Sequence, residues 1–345
     1  MYRSRVRKPD FHSDTQHFFA GRRVAIFGGS GFIGSHVVEM LLELGASPVV
    51  LSRSTTPPFL SHLTGQVEVI AGDLRDYEAA TRTVRGCSVV LNLAAMVAGI
   101  EWNANHPASM FMNNMGIFFN AVRASVDHRV ERLLVTSSAC VYPRHCSVPT
   151  PESEGFLDVP EPTNAGYGWA KRMEEFLGAA AAQEYGISVA IARPYNAYGP
   201  RDDFDPQTSH VIPALIRKAL ESTDGSFKVW GDGSHSRSFL YVDDFARGLI
   251  EVAARYPEAD AVNIGTPEEV TIRDVATNIA SIASEILGRS ISPTFDPQGL
   301  TGQPRRACDI TKAVNLLDYR ARVPLSDGLR TTMDWYISCT SHSAS

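Results

Sequence analysis

Short apolar runs alternate with amphipathic stretches through the first half of the chain. Arg23-Val-Ala-Ile-Phe27 has the length and composition of a strand, a cluster of glycines follows, and apolar positions then recur at helical spacing over Ile33–Leu44 until Gly45. The same pattern repeats. Apolar runs at Pro48–Leu51, Val67–Ile70, Val89–Leu93, Leu133–Thr136 and Val189–Ala192 predict strands, with helices predicted around Tyr77–Arg85, Ala108–Val126 and Tyr167–Tyr185. Strands and helices alternating at that length predict an α/β fold: a doubly wound parallel sheet that binds its ligand beyond the carboxyl ends of the strands.

After Tyr195 the texture changes to loops rich in Gly, Pro and Asp, interrupted by helical patterns near Ile212–Glu221, Val242–Ala254, Ile272–Leu287, Ile310–Leu317 and Ser326–Tyr336. These are too scattered to extend a regular sheet, so a smaller C-terminal α/β lobe is expected over 196–237 and 266–340. Segments near 238–265, Phe239–Tyr241 and Val262–Gly265 among them, are expected to return to the first domain, which spans 21–195. Residues 1–20 are polar and read as a flexible extension or capping arm, and Cys339–Ser345 as a frayed tail.

Composition narrows the function classes. With 44% hydrophobic residues, 20% charged residues and a net charge of −6, the chain has no polybasic surface suited to nucleic acid or anionic membrane. No apolar stretch reaches the roughly 20 residues that span a bilayer. The five cysteines are widely spaced, with no Cys-x-x-Cys pair, so neither a metal site nor a disulfide framework is expected and a reducing, cytoplasmic setting is.

Gly28-Gly-Ser-Gly31-Phe-Ile-Gly34 lies where a strand hands over to a helix. In that context the glycines let the backbone turn tightly and approach a pyrophosphate, which the helix N-terminus then binds. Gly28, Ser30, Gly31, Phe32, Ile33 and Gly34 are thus the first candidate cofactor contacts, in a Rossmann-type NAD(P)-binding domain. The second strand ends in Ser52-Arg53, where a carboxylate would normally bind the ribose of NAD. A guanidinium beside a small hydroxyl residue suits the additional phosphate of NADP, so NADP(H) is favoured and NAD(H) kept as the alternative. Asp73 and Leu74 after the third strand and Ala94 after the fourth would line the rest of the path.

Tyr167 and Lys171 are four residues apart on a predicted helix and share a face. A nearby ammonium is expected to lower the phenol pKa from about 10 toward the range of a working acid–base group. Upstream, a strand runs into Thr136-Ser-Ser138-Ala-Cys140-Val-Tyr-Pro143, and downstream comes Arg193-Pro-Tyr-Asn-Ala-Tyr-Gly-Pro200. With the glycine turn, these segments resemble the extended short-chain dehydrogenase/reductase family over roughly residues 21 to 340. The resemblance implies that Ser138 binds the reacting sugar oxygen, Tyr167 passes the proton, and Lys171 holds the nicotinamide ribose and tunes Tyr167. It also implies a homodimer formed through the helices near Ala108–Val126 and Tyr167–Tyr185, and a nucleotide-sugar substrate.

Dehydratases of this family carry Asp-Glu directly after the catalytic Ser/Thr; this chain has Ala139-Cys140, so elimination of water is not expected. Ser138-x-Cys140-Val-Tyr-Pro is similar to the motif of GDP-L-fucose synthases and GDP-mannose 3,5-epimerases. Ser209-His-Val-Ile-Pro-Ala-Leu-Ile-Arg217 extends the likeness and puts His210 where the synthases have the histidine that partners their cysteine. The chemistry asks for such a pair. A 4-keto group acidifies C3 and C5, and inverting either carbon needs a base on one face and an acid on the other, here Cys140 and His210. By the same resemblance Asn196, Val211, Lys218, Trp230, Arg237 and Arg306 would contact the substrate, the cations neutralising its pyrophosphate. Ser236-Arg237-Ser238 is closer to the epimerase pattern than to the synthase one, so two reactions stay open. One is epimerisation followed by reduction of C4 with NADPH. The other is redox-neutral epimerisation with tightly held NAD(P)+.

Overall fold

The structure is a computed structural model and describes residues 10–297 and 303–343. Its first half builds six parallel strands: β1 (Arg23–Phe27), β2 (Ser47–Ser52), β3 (Glu68–Ala71), β4 (Val89–Asn92), β5 (Arg132–Thr136) and β6 (Ser188–Pro194). Four helices link them or precede them: α1 (Ser13–Phe19), α2 (Phe32–Glu43), α3 (Tyr77–Val84) and α4 (Ile100–Asn105). Two longer ones, α5 (Pro107–Asp127) and α6 (Ala165–Tyr185), pack side by side. Short strands follow, β7 (Asn196–Tyr198), β8 (Ser226–Trp230), β9 (Ser236–Arg237) and β10 (Phe239–Tyr241), with α7 (Val211–Glu221) and α8 (Val242–Arg255). The chain then returns as β11 (Glu258–Ile264), which pairs with β6 and gives a seven-stranded sheet of order β11-β6-β5-β4-β1-β2-β3.

Strand side chains alternate between the two faces, and the core divides accordingly. Val24 and Ile26 of β1 face a cluster with Val37, Val38 and Leu41 of α2 and Leu249 and Ile250 of α8. Ala25 and Phe27 face the opposite one, with Ala79 and Ala80 of α3 and Phe118 and Ala121 of α5. Burial on both faces is why these strands read as continuous apolar runs.

The remaining elements are β12 (Val270–Thr271), α9 (Ile272–Leu287), β13 (Ser292–Asp296), β14 (Arg305–Arg306), α10 (Thr311–Leu317) and α11 (Leu325–Ser343). A third cluster, with Ile212 and Ile216 of α7, Ile279 of α9 and Met333 of α11, forms the core of the smaller lobe. Phe32 and Ile33 of the glycine turn pack against that cluster, which sets the lobe over the carboxyl end of the sheet.

Phe239–Tyr241 forms β10, which pairs in parallel with β7 beside the main sheet and leads into α8, packed on α2. The expectations for the two ends of the chain change. The supposed tail from Cys339 continues α11 to Ser343. Of the flexible extension or capping arm expected at the N-terminus, the part from Phe11 on is docked: the Thr15 hydroxyl and the His12 N–H donate to the Glu251 carboxylate of α8 at 2.6 and 3.0 Å, and Phe11 and Phe19 are buried. The anchoring carboxylate lies more than two hundred residues away in the chain, so no local pattern reveals it. Residues 1–9 of that expected arm lie outside the described residues.

Phe19 is fully buried in the core. Phe19→Ala is expected to cost about 3–5 kcal/mol through lost burial and a cavity, measured as a lower urea midpoint with unchanged slope.

Candidate active site

The glycine turn is shaped for close backbone approach. Gly28 has φ +79°, and a Cβ there would lie 2.8 Å from the Ala94 nitrogen, so the turn presses on the loop that follows β4. A Cβ on Gly34 would fall 2.0 Å from the Gly28 carbonyl oxygen. Gly31 caps α2 without any side-chain hydrogen bond, which leaves the first N–H groups of a 12-residue helix free for an anion. Ser30, Phe32 and Ile33 are partly exposed around this opening. Asn92, at the end of β4, is buried with neither side-chain polar atom bonded among the described residues, as expected of a group that awaits a ligand. These features fit a dinucleotide.

At the end of β2, buried Ser52 accepts the Ser54 N–H at 3.1 Å, while Arg53 projects into solvent. Asp73 is ion-paired with Arg75 at 2.6 Å and falls to about 2, chiefly through Arg75 with a contribution from Arg53. The Leu74 carbonyl accepts from Asn120 at 2.8 Å.

Between β5 and α6 the chemistry comes together. Ser138, in extended conformation, caps a single 3₁₀ turn over Ala139–Val141, and its hydroxyl accepts the Cys140 N–H at 3.2 Å. The first turn of α6 fits against that loop because Gly168 has no side chain: a Cβ would meet the Cys140 carbonyl at 2.5 Å. Tyr167 is thereby held beside Ser138. Lys171 is buried and donates to the Thr136 carbonyl and to Glu174, each at 2.9 Å, with its ammonium 5.5 Å from the centre of the Tyr167 ring.

The expected lowering of the Tyr167 pKa is not found. Burial pushes the phenol up to about 12; Lys171 and Ser138 pull it down, but Cys140 and Glu174 oppose them. The Tyr167–Lys171 spacing alone leaves out Glu174, a buried carboxylate that burial raises to about 7 against the pull of Lys171. Neighbouring Glu175 is occupied differently, in a bidentate pair with buried Arg193 of β6 at 2.7 Å for each oxygen.

Cys140 faces several donors. The Asn164 amide donates to its sulfur at 3.0 Å and the Arg306 guanidinium at 3.8 Å. Arg306 also donates to Gln303 at 3.2 Å. Parallel pairing of β9 with β14 sets Arg306 in register with Arg237. Arg237 is drawn down to about 10, first by burial and then by the Arg306 charge. Two guanidiniums crowded in this way form a ready anion site. Asn164 and Gln303 are not among the site residues expected from sequence, although Glu161-Pro-Thr-Asn164 and Gly302-Gln-Pro-Arg-Arg306, which hold them, share the family likeness.

His210 stands at the N-cap of α7 with its residue surface exposed, while the protein atoms packed around its ring lower its pKa by desolvation against the opposing charge of Asp203. Among the described residues no hydrogen bond joins its ring to Cys140 or to any other group. Val211 is partly exposed beside it. Lys218 donates to the Lys228 carbonyl at 3.1 Å and lies 5.1 Å over the ring of Trp230, a residue left 63% exposed and so open to stacking. The Asn196 amide donates to the Ser238 carbonyl at 2.9 Å.

A pyrophosphate-binding turn joined to a Ser–Tyr–Lys site defines an enzyme that moves hydride with a nicotinamide dinucleotide. The chain belongs to the NAD dependent epimerase/dehydratase family, whose model matches residues 24–265. It is 34% identical to GDP-L-fucose synthase 1 of Arabidopsis thaliana over 91% of this chain and 93% of that one. It is 31% identical to the dTDP-4-dehydro-6-deoxy-D-allose reductase of Streptomyces bikiniensis over 92% and 97%. Among solved structures, UDP-glucose 4-epimerase of Thermotoga maritima with UDP-glucose superposes with a TM-score of 0.80 at 26% identity, covering 92% and 99% of the two chains.

Gly34→Ala places a methyl group inside van der Waals contact of the Gly28 carbonyl. Calorimetric titration of the folded variant is expected to detect no dinucleotide binding at concentrations that saturate the wild type.

Proposed function

We propose that the protein is a nucleotide-sugar epimerase/reductase that inverts C3 and/or C5 of a 4-keto, GDP-linked hexose and reduces C4 with NADPH. The observation that carries this reading is the placement of Cys140: its sulfur receives N–H donors from Asn164 and Arg306, one turn from Ser138 and against the start of the Tyr167 helix. A reductase without epimerisation needs no thiol there.

Bound NADPH supplies a hydride to the carbonyl carbon. Ser138 holds the C4 oxygen and Tyr167 gives it a proton, so the carbonyl becomes an alcohol. Before that, Cys140 takes the proton from C3 or C5, the electrons passing into the enolate of the 4-keto group, and His210 returns a proton on the other face. Arg237, Lys218 and Arg306 bind the pyrophosphate, and Asn196 and Trp230 the sugar and base region, with Val211 alongside. Arg53 takes the 2′-phosphate that distinguishes NADP from NAD, with Ser52 leaving room for it.

Incubation with GDP-4-keto-6-deoxymannose is expected to consume NADPH stoichiometrically, read at 340 nm, and to place solvent deuterium at C3 or C5. Cys140→Ser is expected to lose the deuterium, and Tyr167→Phe to lower turnover by about 10²–10⁴. No NADPH loss with any keto-sugar nucleotide sinks the reading. Deuterium entry without net NADPH loss selects the redox-neutral epimerase, which the Ser236-Arg237-Ser238 sequence favours.

We also propose a homodimer. Met112 and Phe119 on α5 and Trp169 and Phe176 on α6 are each seven residues apart, so each pair lies along one helix face, and all four are exposed, Phe176 at 65%. Light scattering is expected to give twice the chain mass, and Phe119→Glu with Phe176→Glu to give a folded monomer. The five free thiols suit the cytoplasm, where we place the enzyme. No described helix is long and apolar enough to cross a membrane.

A further inference from the structure

Lys171 has two of its three N–H groups committed on the buried side, to the Thr136 carbonyl and to Glu174. The carboxylate and the ammonium are 1% and 2% exposed and 2.9 Å apart, one turn of α6 from each other. A carboxylate is costly to bury, and among the described residues the side chain of Glu174 bonds the Lys171 ammonium alone. We propose that Glu174 is a positioning residue of the reduction: it clamps the Lys171 ammonium from the core side and, through it, sets the pH at which Tyr167 gives up its proton.

This inference rests on the reading above. A lysine offset by a buried carboxylate acts on the phenol as less than a full positive charge, so Tyr167 stays a proton donor over a wide pH range. That is the form needed to protonate a carbonyl oxygen as hydride arrives.

The surroundings leave this role to Glu174. The charges that act on it are Lys171, attractive, and Glu175, repulsive, and Glu175 is engaged by Arg193 and the Ser137 hydroxyl. Arg132 of β5 is turned to the α8 carbonyls, as at Ala254. Glu258 and Asp260 of β11 and Arg123 and Asp127 of α5 are solvent-exposed. Glu161, before α6, is paired with Arg144, and Cys140 lies beside Tyr167 and Lys171.

The test compares wild type, Glu174→Gln and Glu174→Asp. Glu174→Gln keeps the shape but removes the charge that holds buried Lys171 protonated and opposes ionisation of Tyr167, so the Tyr167–Lys171 pair loses its first proton at lower pH. The alkaline fall of kcat/KM for NADPH-dependent reduction is expected about one pH unit lower than in wild type. Glu174→Asp, with its carboxylate withdrawn by one methylene, is expected to show a smaller displacement in the same direction. Ultraviolet difference titration at 295 nm of the cofactor-free protein, each form against its Tyr167→Phe counterpart, reads the same ionisation without turnover and is expected to move in parallel. Superimposable curves for wild type and Glu174→Gln overturn the inference. If Glu174→Gln does not fold, Glu174→Asp decides, and an undisplaced curve in the folded Glu174→Asp overturns it equally. Tyr167→Phe separates the two levels: full activity in that variant sinks the reading above together with this inference, whereas an inactive Tyr167→Phe with an unmoved Glu174→Gln sinks this inference alone.

Discussion

A lysine ammonium cannot be buried without partners, and how this protein meets that constraint organises its centre. Lys171 spends its inward donors on a β5 carbonyl and an α6 carboxylate, so strand and helix must keep one separation for the ion to be stable. The contact made possible by Gly168, and through it the placement of Tyr167 against the loop after β5, depends on the same separation. A site assembled around a buried ion pair is rigid where proton transfer needs rigidity, because either partner left alone would be an uncompensated buried charge.

The substrate side follows the opposite electrostatic logic. Arg237 and Arg306 are placed in register on adjacent short strands, and burial, with the Arg306 charge second, lowers the Arg237 pKa. In the function proposed above, a dianionic pyrophosphate would relieve the repulsion between them, so part of the binding energy would come from removing a cost that the free protein carries. Those strands belong to a lobe whose core touches Phe32 and Ile33 of the dinucleotide turn. The paired arginines and the glycine turn are therefore fixed relative to one another by apolar packing instead of by a flexible link.

Between the two lies Cys140, with the first turn of α6 on one side and Arg306 on the other. Its position connects the hydride chemistry shared across the family to the epimerising chemistry we propose for this chain. The relatives differ in the sugar nucleotides their names carry, one being a GDP-L-fucose synthase and another a dTDP-4-dehydro-6-deoxy-D-allose reductase. The distinction rests on a few side chains around a common hydride site.

Much of this was legible in the chain itself. The period of the apolar positions determined the strands and helices of the first half, because a doubly covered parallel strand must be apolar throughout and a surface helix on one stripe only. The glycine turn and the Tyr167–Lys171 spacing are local geometry, and local geometry survives in sequence. The docking of α1 through Glu251, the Glu174 clamp on Lys171, the Asn164 and Arg306 donors at Cys140 and the pairing of Arg237 with Arg306 were decided by the tertiary structure. Apart from the Glu174 pair, each brings together groups far apart along the chain. Even for Glu174, one helical turn from Lys171, only burial turns an ordinary surface spacing into a desolvated ion pair that shifts the balance at Tyr167.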